Sequence, residues 1–258
     1  MKFTGNSIRS LLLATALGIG AMTAGTMAAH GAAPLEVGVM DFPPYYVLEH
    51  QTKVIGGYYS KYLNTLLTRA GLDYAIKGYP PKRLYMSLSE GVTKISMGTT
   101  GVADYAGKVL VSPKPVAEIN LEIFGMGAAD SLPKSIAELK GKSLLTIRGY
   151  NYAGLIQELI DPKNNIKIKE ANTHEAAFRR LIDGSADFLL DYREPADETL
   201  ALLHFPAVKR HSLSKVPVHV MVSKTLPDAQ SVMDKIMKAY EELNAENVPA
   251  PKVSPPAR

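Results

Sequence analysis

The sequence predicts an α/β protein made of two similar sheets in series. Short apolar strands alternate with amphipathic helices along most of the chain, as they do in parallel sheets with right-handed crossovers. From Asn120 onward this alternation starts a second time. The 258 residues are enough for one large domain or for two modest domains with their own cores.

The first 33 residues have the order of a secretory signal peptide. Two basic residues precede an apolar stretch from Leu11 to about Ala24, and small residues follow through Ala33. This apolar run is too short and too rich in glycine for a membrane span. We expect cleavage between Ala28 and Ala33. Because the chain has no cysteine, it has no disulfide and no lipid-anchored cysteine, and we predict a soluble periplasmic protein.

The charge balance excludes a nucleic-acid partner. The 29 basic and 25 acidic residues give a formal net charge of +4, which falls to about +2 when Lys2 and Arg9 leave with the signal peptide. The basic residues are scattered, with no run longer than Arg179-Arg180 or Lys209-Arg210. Binding to nucleic acid needs a clustered basic face.

The first predicted strand ends in a loop that carries groups able to bind a small molecule. Apolar residues alternate over 35–40, which predicts a strand. Pro43 and Pro44 must end it, because proline lacks an amide donor and fixes φ. Phe42 and Tyr45 are thereby left at the carboxyl end of a strand, where ligands bind in open α/β sheets.

The remaining elements follow from apolar spacing and from Gly and Pro punctuation. We predict helices over 59–70, 82–90, 131–139, 172–184 and 228–243, two more helices beginning near 148–153 and 191–195, and strands over 73–79, 94–97, 120–126, 142–147, 166–170, 186–190, 208–213 and 218–222. Asn172 is the expected N-cap of its helix, because Glu175 stands three residues further on as in a capping box. The proline-rich segment 248–258 is predicted to be disordered.

Six segments, taken in order, make the chain resemble the bacterial extracellular solute-binding proteins of the polar-amino-acid type (family 3). They are Leu35–Tyr46, Ile55–Tyr58, Gly91–Thr100, Ser131–Lys142, Gly184–Phe188 and His219–Lys224. The resemblance covers residues 35 to about 243. It implies a two-lobed periplasmic-binding-protein fold of type II, in which each lobe is a mixed, mainly parallel sheet flanked by helices. A ligand would bind between the lobes, which would close over it.

The resemblance also implies the bounds of the lobes. Lobe 1 would comprise residues 34–117 and 218–247, and lobe 2 residues 118–217. Two strand-like hinge segments would join them near 115–117 and 216–218.

Two positions depart from the family's pattern. In amino-acid binders an arginine after the Thr-rich turn clamps the α-carboxylate, and counting from Gly98 places Tyr105 there. A tyrosine cannot replace a guanidinium fork. The aspartate for the α-ammonium falls on Tyr192, and Asp191 stands one residue early, on the opposite face of a strand. We therefore expect an altered amino-acid clamp, and it stays open whether Asp191 or Tyr192 faces the cleft.

The candidate ligand-binding residues make a cleft rich in Tyr, Thr and Arg. The full set is Phe42, Tyr45, Arg83, Gly98, Thr99, Thr100, Tyr105, Arg148, Tyr150, Asn151, Asp191 and Tyr192. Phe42 matches the family's stacking ring, and residues 148–151 precede a helix N-terminus, whose amides favour an anion or an acceptor. The set predicts a small polar solute with an acceptor or carboxylate end and an apolar or ring portion.

Several of these candidates also have a structural interpretation. Arg83 could be a solvated surface charge and Tyr105 a packing ring, while Thr99 and Thr100 could cap the next turn. Asp41 is interpreted as a turn residue.

The resemblance implies a monomeric periplasmic protein that captures a solute for an ABC importer in the inner membrane. One alternative is a sensory or assembly partner that is not coupled to transport. The other is a dehydratase-like enzyme on the same fold. The sequence has no nucleophile elbow and no cysteine. Metal-ligand spacing is also missing among His50, His174, His204, His211 and His219, so we predict no catalytic residue, cofactor or metal.

Overall fold

The computed structural model describes residues 33–50, 52–204 and 208–248. The predicted signal peptide up to residue 32 and the predicted disordered tail from residue 249 lie outside the described residues. Within the described part of the chain, no helix combines the length and the apolar character needed to cross a membrane.

Eleven strands and six α-helices make up the described part of the chain. The strands are β1 (Leu35–Val39), β2 (Val47–Glu49), β3 (Lys53–Gly56), β4 (Tyr74–Gly78), β5 (Ile95–Thr99), β6 (Val109–Val111), β7 (Ala117–Gly125), β8 (Ser143–Ile147), β9 (Lys167–Ala171), β10 (Phe188–Tyr192) and β11 (Lys209–Ser223). The helices are α1 (Tyr58–Arg69), α2 (Pro81–Glu90), α3 (Ile156–Leu159), α4 (His174–Ile182), α5 (Arg193–Leu203) and α6 (Ala229–Ala245). Short 3-10 turns lie at Ala103–Tyr105, Ala129–Ser131, Ile136–Leu139, Tyr152–Gly154 and Pro162–Asn164. The predicted α/β class is confirmed.

One mixed sheet of nine strands runs through the protein in the order β4-β1-β5-β11-β7-β10-β8-β9, with β6 beside β11. At one end β1 pairs in parallel with β4 and β5, and at the other β8 pairs in parallel with β9 and β10. We call β1, β4, β5 and β6 the first sheet half, and β8, β9 and β10 the second sheet half. The antiparallel strands β7 and β11 join the halves, paired from Ala117↔Val218 to Lys209↔Gly125.

Helix α1 shows how apolar spacing builds the first sheet half. Tyr59, Leu63, Leu66 and Leu67 are buried on one helix face, as the spacing of 3.6 residues per turn predicts. Each such side chain contributes about 1.5–3 kcal/mol through its burial. The chain then leaves the helix at Gly71, whose φ of +66° suits a residue without Cβ.

Helix α4 differs from its prediction at its first turn. The N-cap is Thr173, whose extended backbone lets its hydroxyl accept a hydrogen bond from the Ala176 amide. The predicted cap, Asn172, is wrong by one residue. Glu175 does not complete a capping box, because its carboxylate instead pairs with Arg179 four residues later.

Strand β11 is a single strand of 15 residues, where two separate strands over 208–213 and 218–222 were predicted. The strand continues because β7 pairs with it along its whole length, across a bulge between Ser212 and Ser214. Pro217 fits within it because the other side of the strand has no partner before Val218 meets Thr99 on β5.

Two predicted helices are also wrong. Pro133 interrupts the predicted helix over 131–139, which is two separate 3-10 turns. The helix expected to begin near 148–153 is replaced by a 3-10 turn and the four-residue α3, because Tyr152 and Ala153 have positive φ. The β2–β3 hairpin and strand β6 were not predicted.

Candidate functional site

A cavity lies beyond the carboxyl ends of β1 and β5, where the two sheet halves face each other. Its volume is about 40 Å³. Aromatic rings dominate the lining: Phe42, Tyr46, Tyr59, Tyr85, Tyr105, Tyr150 and Tyr192.

The structure brings seven of the twelve candidate residues to this cavity. They are Phe42, Gly98, Thr99, Tyr105, Tyr150, Asn151 and Tyr192. The other five candidates, Tyr45, Arg83, Thr100, Arg148 and Asp191, do not line it. At the position that the sequence left open, Tyr192 faces the cavity and Asp191 is fully buried behind it.

The ring of Phe42 is the contact point of aromatic groups from both sheet halves. Its centroid lies 5.2 Å from that of Tyr192 and 5.6 Å from that of Tyr150, both in edge-to-face geometry. Tyr45 lies 5.2 Å from Phe42 on the other side and packs on Tyr59 at 4.3 Å. Such aromatic pairs contribute about 0.5–1.5 kcal/mol beyond their burial. Tyr45 therefore supports Phe42 from behind.

The loop that carries Phe42 is fixed by the first turn of α1. The amide of Tyr59 donates to the Tyr45 carbonyl at 2.9 Å, and the amide of Tyr58 donates to the Pro44 carbonyl at 3.1 Å. These amides are free to do so because the first amides of a helix have no partner within it. Gly57 precedes the helix at φ +109° and passes close to Tyr45.

Gly57→Ala is expected to destabilise the protein by more than about 1–3 kcal/mol. A Cβ on Gly57 would lie 2.2 Å from the backbone oxygen of Tyr45, which cannot move without shifting the loop. Urea unfolding measures the loss. The matched control is Gly71→Ala, because Gly71 also has positive φ but no atom within 4 Å of its Cβ position. If both variants lower the free energy of unfolding equally, the contact of Gly57 with Tyr45 does not contribute to stability.

Asn151 connects the second sheet half to the end of β5. Its side-chain amide donates to the Thr100 carbonyl at 3.1 Å, and its oxygen accepts from the Thr99 hydroxyl at 3.2 Å. The Tyr150 hydroxyl reaches the backbone oxygen of Asp41 at 3.4 Å, and that of Tyr85 reaches Gly149 at 3.4 Å. These contacts join the two sheet halves on either side of the cavity.

A buried hydrogen-bonded chain supports Tyr150 from the second sheet half. The Nδ1 atom of His174 lies 2.7 Å from the carboxylate of Asp191, and its Nε2 atom lies 3.2 Å from the Tyr150 hydroxyl. Asp191 also accepts from the Tyr192 amide at 2.8 Å. Burial raises the pKa of Tyr150 well above its ordinary value of 10.0, so its hydroxyl keeps its proton.

The pKa of His174 is raised, and the pH dependence of stability should show it. Burial lowers this pKa, but the carboxylates of Asp191, Asp41 and Glu198 more than offset that effect. Among the described residues, Tyr150 is the other titratable side chain bonded to the ring. A raised pKa favours the protonated histidine in the folded state. Its contribution to stability is therefore complete below the ordinary pKa of 6.5 and is lost as the pH rises through the folded-state pKa.

His174→Gln should consequently lower the free energy of unfolding most at acidic pH, and the difference from the wild type should shrink above pH 6.5. Urea unfolding between about pH 5 and 9 measures this. His50→Gln is the control, because His50 is exposed. A difference that grows with pH would contradict the raised pKa.

The two arginine candidates lie on the exterior. The Arg148 side chain is 61% exposed, and its Nε atom lies 3.3 Å from a Glu170 oxygen. Arg83 is exposed on α2. Thr100 meets the second sheet half through its backbone oxygen, not its hydroxyl. Asp41 accepts from the Leu48 amide at 3.0 Å, which agrees with its interpretation as a turn residue.

Arg148→Ala is expected to change the free energy of unfolding by less than about 0.5 kcal/mol, because an exposed ion pair contributes little. Ligand affinity should also stay unchanged, since the guanidinium is paired outside the cavity. Calorimetry of a ligand found by screening checks this. Asn151→Ala is the variant expected to lose affinity, because it removes the hydrogen bonds to Thr99 and Thr100 that join the two sheet halves. A tenfold loss for Arg148→Ala would place its side chain in the binding site.

Sequence reasoning missed about half of the lining. Tyr59, Tyr85, Met97, Ile119 and Met221 face the cavity, but the sequence analysis did not include them among the candidate ligand-binding residues. Apolar spacing does not distinguish a face that packs on the core from one that borders a cavity. Among the described residues, no group of three or more His, Asp or Glu is placed to hold a metal ion.

No protein-family model and no curated protein sequence matches the chain. Solved structures do match. The substrate-binding protein of an amino acid ABC transporter aligns with a TM-score of 0.61 at 20% identity, covering 84% of this chain and 95% of that protein. An ancestral arginine-binding protein bound to arginine aligns with a TM-score of 0.65 at 20% identity, covering 83% and 93%.

A histidine kinase sensor domain with similarity to periplasmic binding proteins also aligns, with a TM-score of 0.66 at 15% identity and coverage of 84% and 92%. At such low identity these matches establish the fold alone. The chain therefore has the two-lobed fold of the periplasmic binding proteins, which its resemblance to the family 3 solute-binding proteins predicted.

Proposed function

We propose that the protein captures a small molecule between two lobes. The observation that carries this proposal is the position of the cavity, which is lined by Phe42 and Tyr105 from one sheet half and by Tyr150 and Tyr192 from the other. A ligand enters such a site only if the halves separate, and it then holds them together through contacts to both. The proposed lobes are 34–117 with 218–247, and 118–217.

The proposed hinge lies where β7 and β11 leave the first sheet half, at residues 115–117 and 216–218. Ala117 pairs with Val218 there, and Ile119 pairs with Val216. Two adjacent antiparallel strands can twist and bend together while they keep their hydrogen bonds to each other. Rotation about this pair would open the cavity without unfolding either lobe.

Two spin labels would test this closure directly. Because the chain has no cysteine, cysteines introduced at Val92 and Ile160 would be the only labelling sites. Both side chains are exposed, and they lie in different proposed lobes. A thermal-shift screen of amino acids, organic acids, amines and neutral compounds supplies the ligand, which at one hundred times its Kd adds about 2.7 kcal/mol of apparent stability.

The ligand found by that screen should narrow the distribution of distances between the labels toward a single closed value. A pair at Val92 and Val111, both exposed and both within lobe 1, should give an unchanged distance. If no compound stabilises the protein and the distance between Val92 and Ile160 never changes, the proposed function is wrong.

We propose further that the protein works as a monomer in the periplasm and delivers its ligand to an ABC permease of the inner membrane. The signal-like residues 1–33 and the fold shared with an ABC transporter's substrate-binding protein support this role. The same fold in a histidine kinase sensor domain supports a sensory role as the second candidate. Crosslinking of the ligand-bound protein in cells distinguishes the two roles. The crosslinked membrane partner would be a permease for transport and a kinase for sensing.

A further inference from the structure

The cavity has no charged lining. None of the described residues that border it is Arg, Lys, Asp, Glu or His. Three charged side chains that neighbour lining residues in the sequence have other partners: Asp191 is bonded to His174, Asp41 accepts from the Leu48 amide, and Arg148 is paired with Glu170 on the exterior. A charged ligand group placed inside would lose its hydration and gain no opposite charge, which is strongly unfavourable.

Most polar side chains of the lining are bonded within the protein. Asn151 and Thr99 bond each other, the Ser96 hydroxyl donates to the Gly38 carbonyl at 2.9 Å, and the Tyr46 hydroxyl donates to the Met97 carbonyl at 3.1 Å. Groups bonded in this way offer a ligand little, because each new hydrogen bond would have to replace an existing one.

The hydroxyl of Tyr105 differs from these groups. Tyr105 is buried in the lining and packs edge-to-face on Tyr85 at 5.9 Å, and among the described residues its hydroxyl has no hydrogen-bond partner. Burial, with a smaller contribution from Tyr85, raises its pKa above the ordinary 10.0. Its hydroxyl is therefore neutral and can both donate and accept a hydrogen bond.

We propose, on the basis of the proposed function, that the ligand is a small uncharged molecule, mainly apolar, with one hydrogen-bonding group that contacts the Tyr105 hydroxyl. The cavity thus selects against zwitterionic amino acids. Aromatic rings also attract cations, so the test of this proposal includes ammonium probes.

Two matched series of probes test the charge preference. One has a ring: benzyl alcohol, benzoate and benzylammonium. The other is branched and smaller: isobutanol, isobutyrate and isobutylammonium. Ligand-observed NMR titration of the purified protein gives the affinities. The neutral member of at least one series should bind at least tenfold more tightly than both of its charged counterparts.

Tyr105→Phe should weaken binding of the neutral probe by about tenfold, because it removes only the hydroxyl. Tyr74→Phe is the matched control and should leave the affinity unchanged, since the Tyr74 hydroxyl bonds Asn64 away from the cavity. Any of three results would overturn the inference. A charged probe binds as tightly as its neutral counterpart or more tightly, Tyr105→Phe leaves the affinity unchanged, or neither of the two neutral probes binds.

The distance between the spin labels shows whether only the inference of an uncharged ligand is wrong or the proposed function is wrong as well. If an amino acid, benzoate or benzylammonium closes the labelled protein, the capture function stands and the inference of an uncharged ligand is wrong. If neither these probes nor any compound of the wider screen changes the distance, both are wrong.

Discussion

On the proposed function, Gly101→Ala is expected to prevent full closure of the two proposed lobes and to weaken ligand binding by about a hundredfold or more, which corresponds to about 2.7 kcal/mol. Gly101 follows β5 and approaches the turn that follows β8. A Cβ on Gly101 would lie 2.4 Å from the backbone oxygen of Ala153 and 2.8 Å from the amide nitrogen of Gly154. Backbone atoms cannot rotate away, so the contact would break and the lobes would stay apart.

Calorimetry with a ligand from the screen gives the loss of affinity, and the distance between labels at Val92 and Ile160 gives the loss of closure. The matched control is Gly107→Ala. Gly107 has φ of +72° against +83° for Gly101, so its backbone strain is similar, but its Cβ would meet no atom within 4 Å. If Gly101→Ala binds and closes as the wild type does, the approach of Gly101 to Ala153 is not part of the bound state.

Asp191→Ala is expected to lower the free energy of unfolding by about 3–5 kcal/mol, because it removes one partner of a buried ion pair. The Asp191 side chain is fully buried and accepts from both His174 and the Tyr192 amide. Without it, the histidine ring and the amide lose their acceptor. Because Tyr150 rests on His174, the loss should reach the cavity as well as the core.

Urea unfolding near pH 6 measures this loss, with Asp234→Ala as the control. Asp234 lies exposed on α6 and bonds only Gln230 among the described residues, so its replacement should cost less than about 0.5 kcal/mol. A double-mutant cycle with His174→Ala isolates the pair. If the two single losses add in the double variant, Asp191 and His174 do not act as a pair and this explanation fails.

The order of elements was predictable because the forces behind it are local. Leu63, Leu66 and Leu67 repeat at the helical period, and Gly71 ends α1 as a residue without Cβ can. The joining of 208–213 and 218–222 into one strand was not predictable, since it depends on β7, a partner more than eighty residues away at Lys209↔Gly125. A strand's length is set by its neighbour as much as by its own residues.

The candidate site was predictable in part for the same reason. Thr99 and Tyr192 are the last residues of β5 and β10, and Phe42 lies three residues beyond β1. Ligands bind at such carboxyl ends of strands in open α/β sheets. Arg148 also follows a strand, but Glu170 at the end of the neighbouring β9 pairs with it on the exterior. Asp191 and Tyr192 are adjacent on β10, so their side chains point to opposite faces of the sheet. The sequence does not say which of these faces borders the cavity, and in the structure it is the face that carries Tyr192.

Strand β11 has a consequence for the nascent protein. It pairs with both β5 and β7. The sheet therefore lacks this strand until the ribosome has synthesised the chain as far as Ser223. Until then, β5 and β7 each have an edge with unpaired N–H and C=O groups, and the same segment must pair with both edges. The two halves of the sheet therefore receive the strand that they share only after most of the described chain has been made.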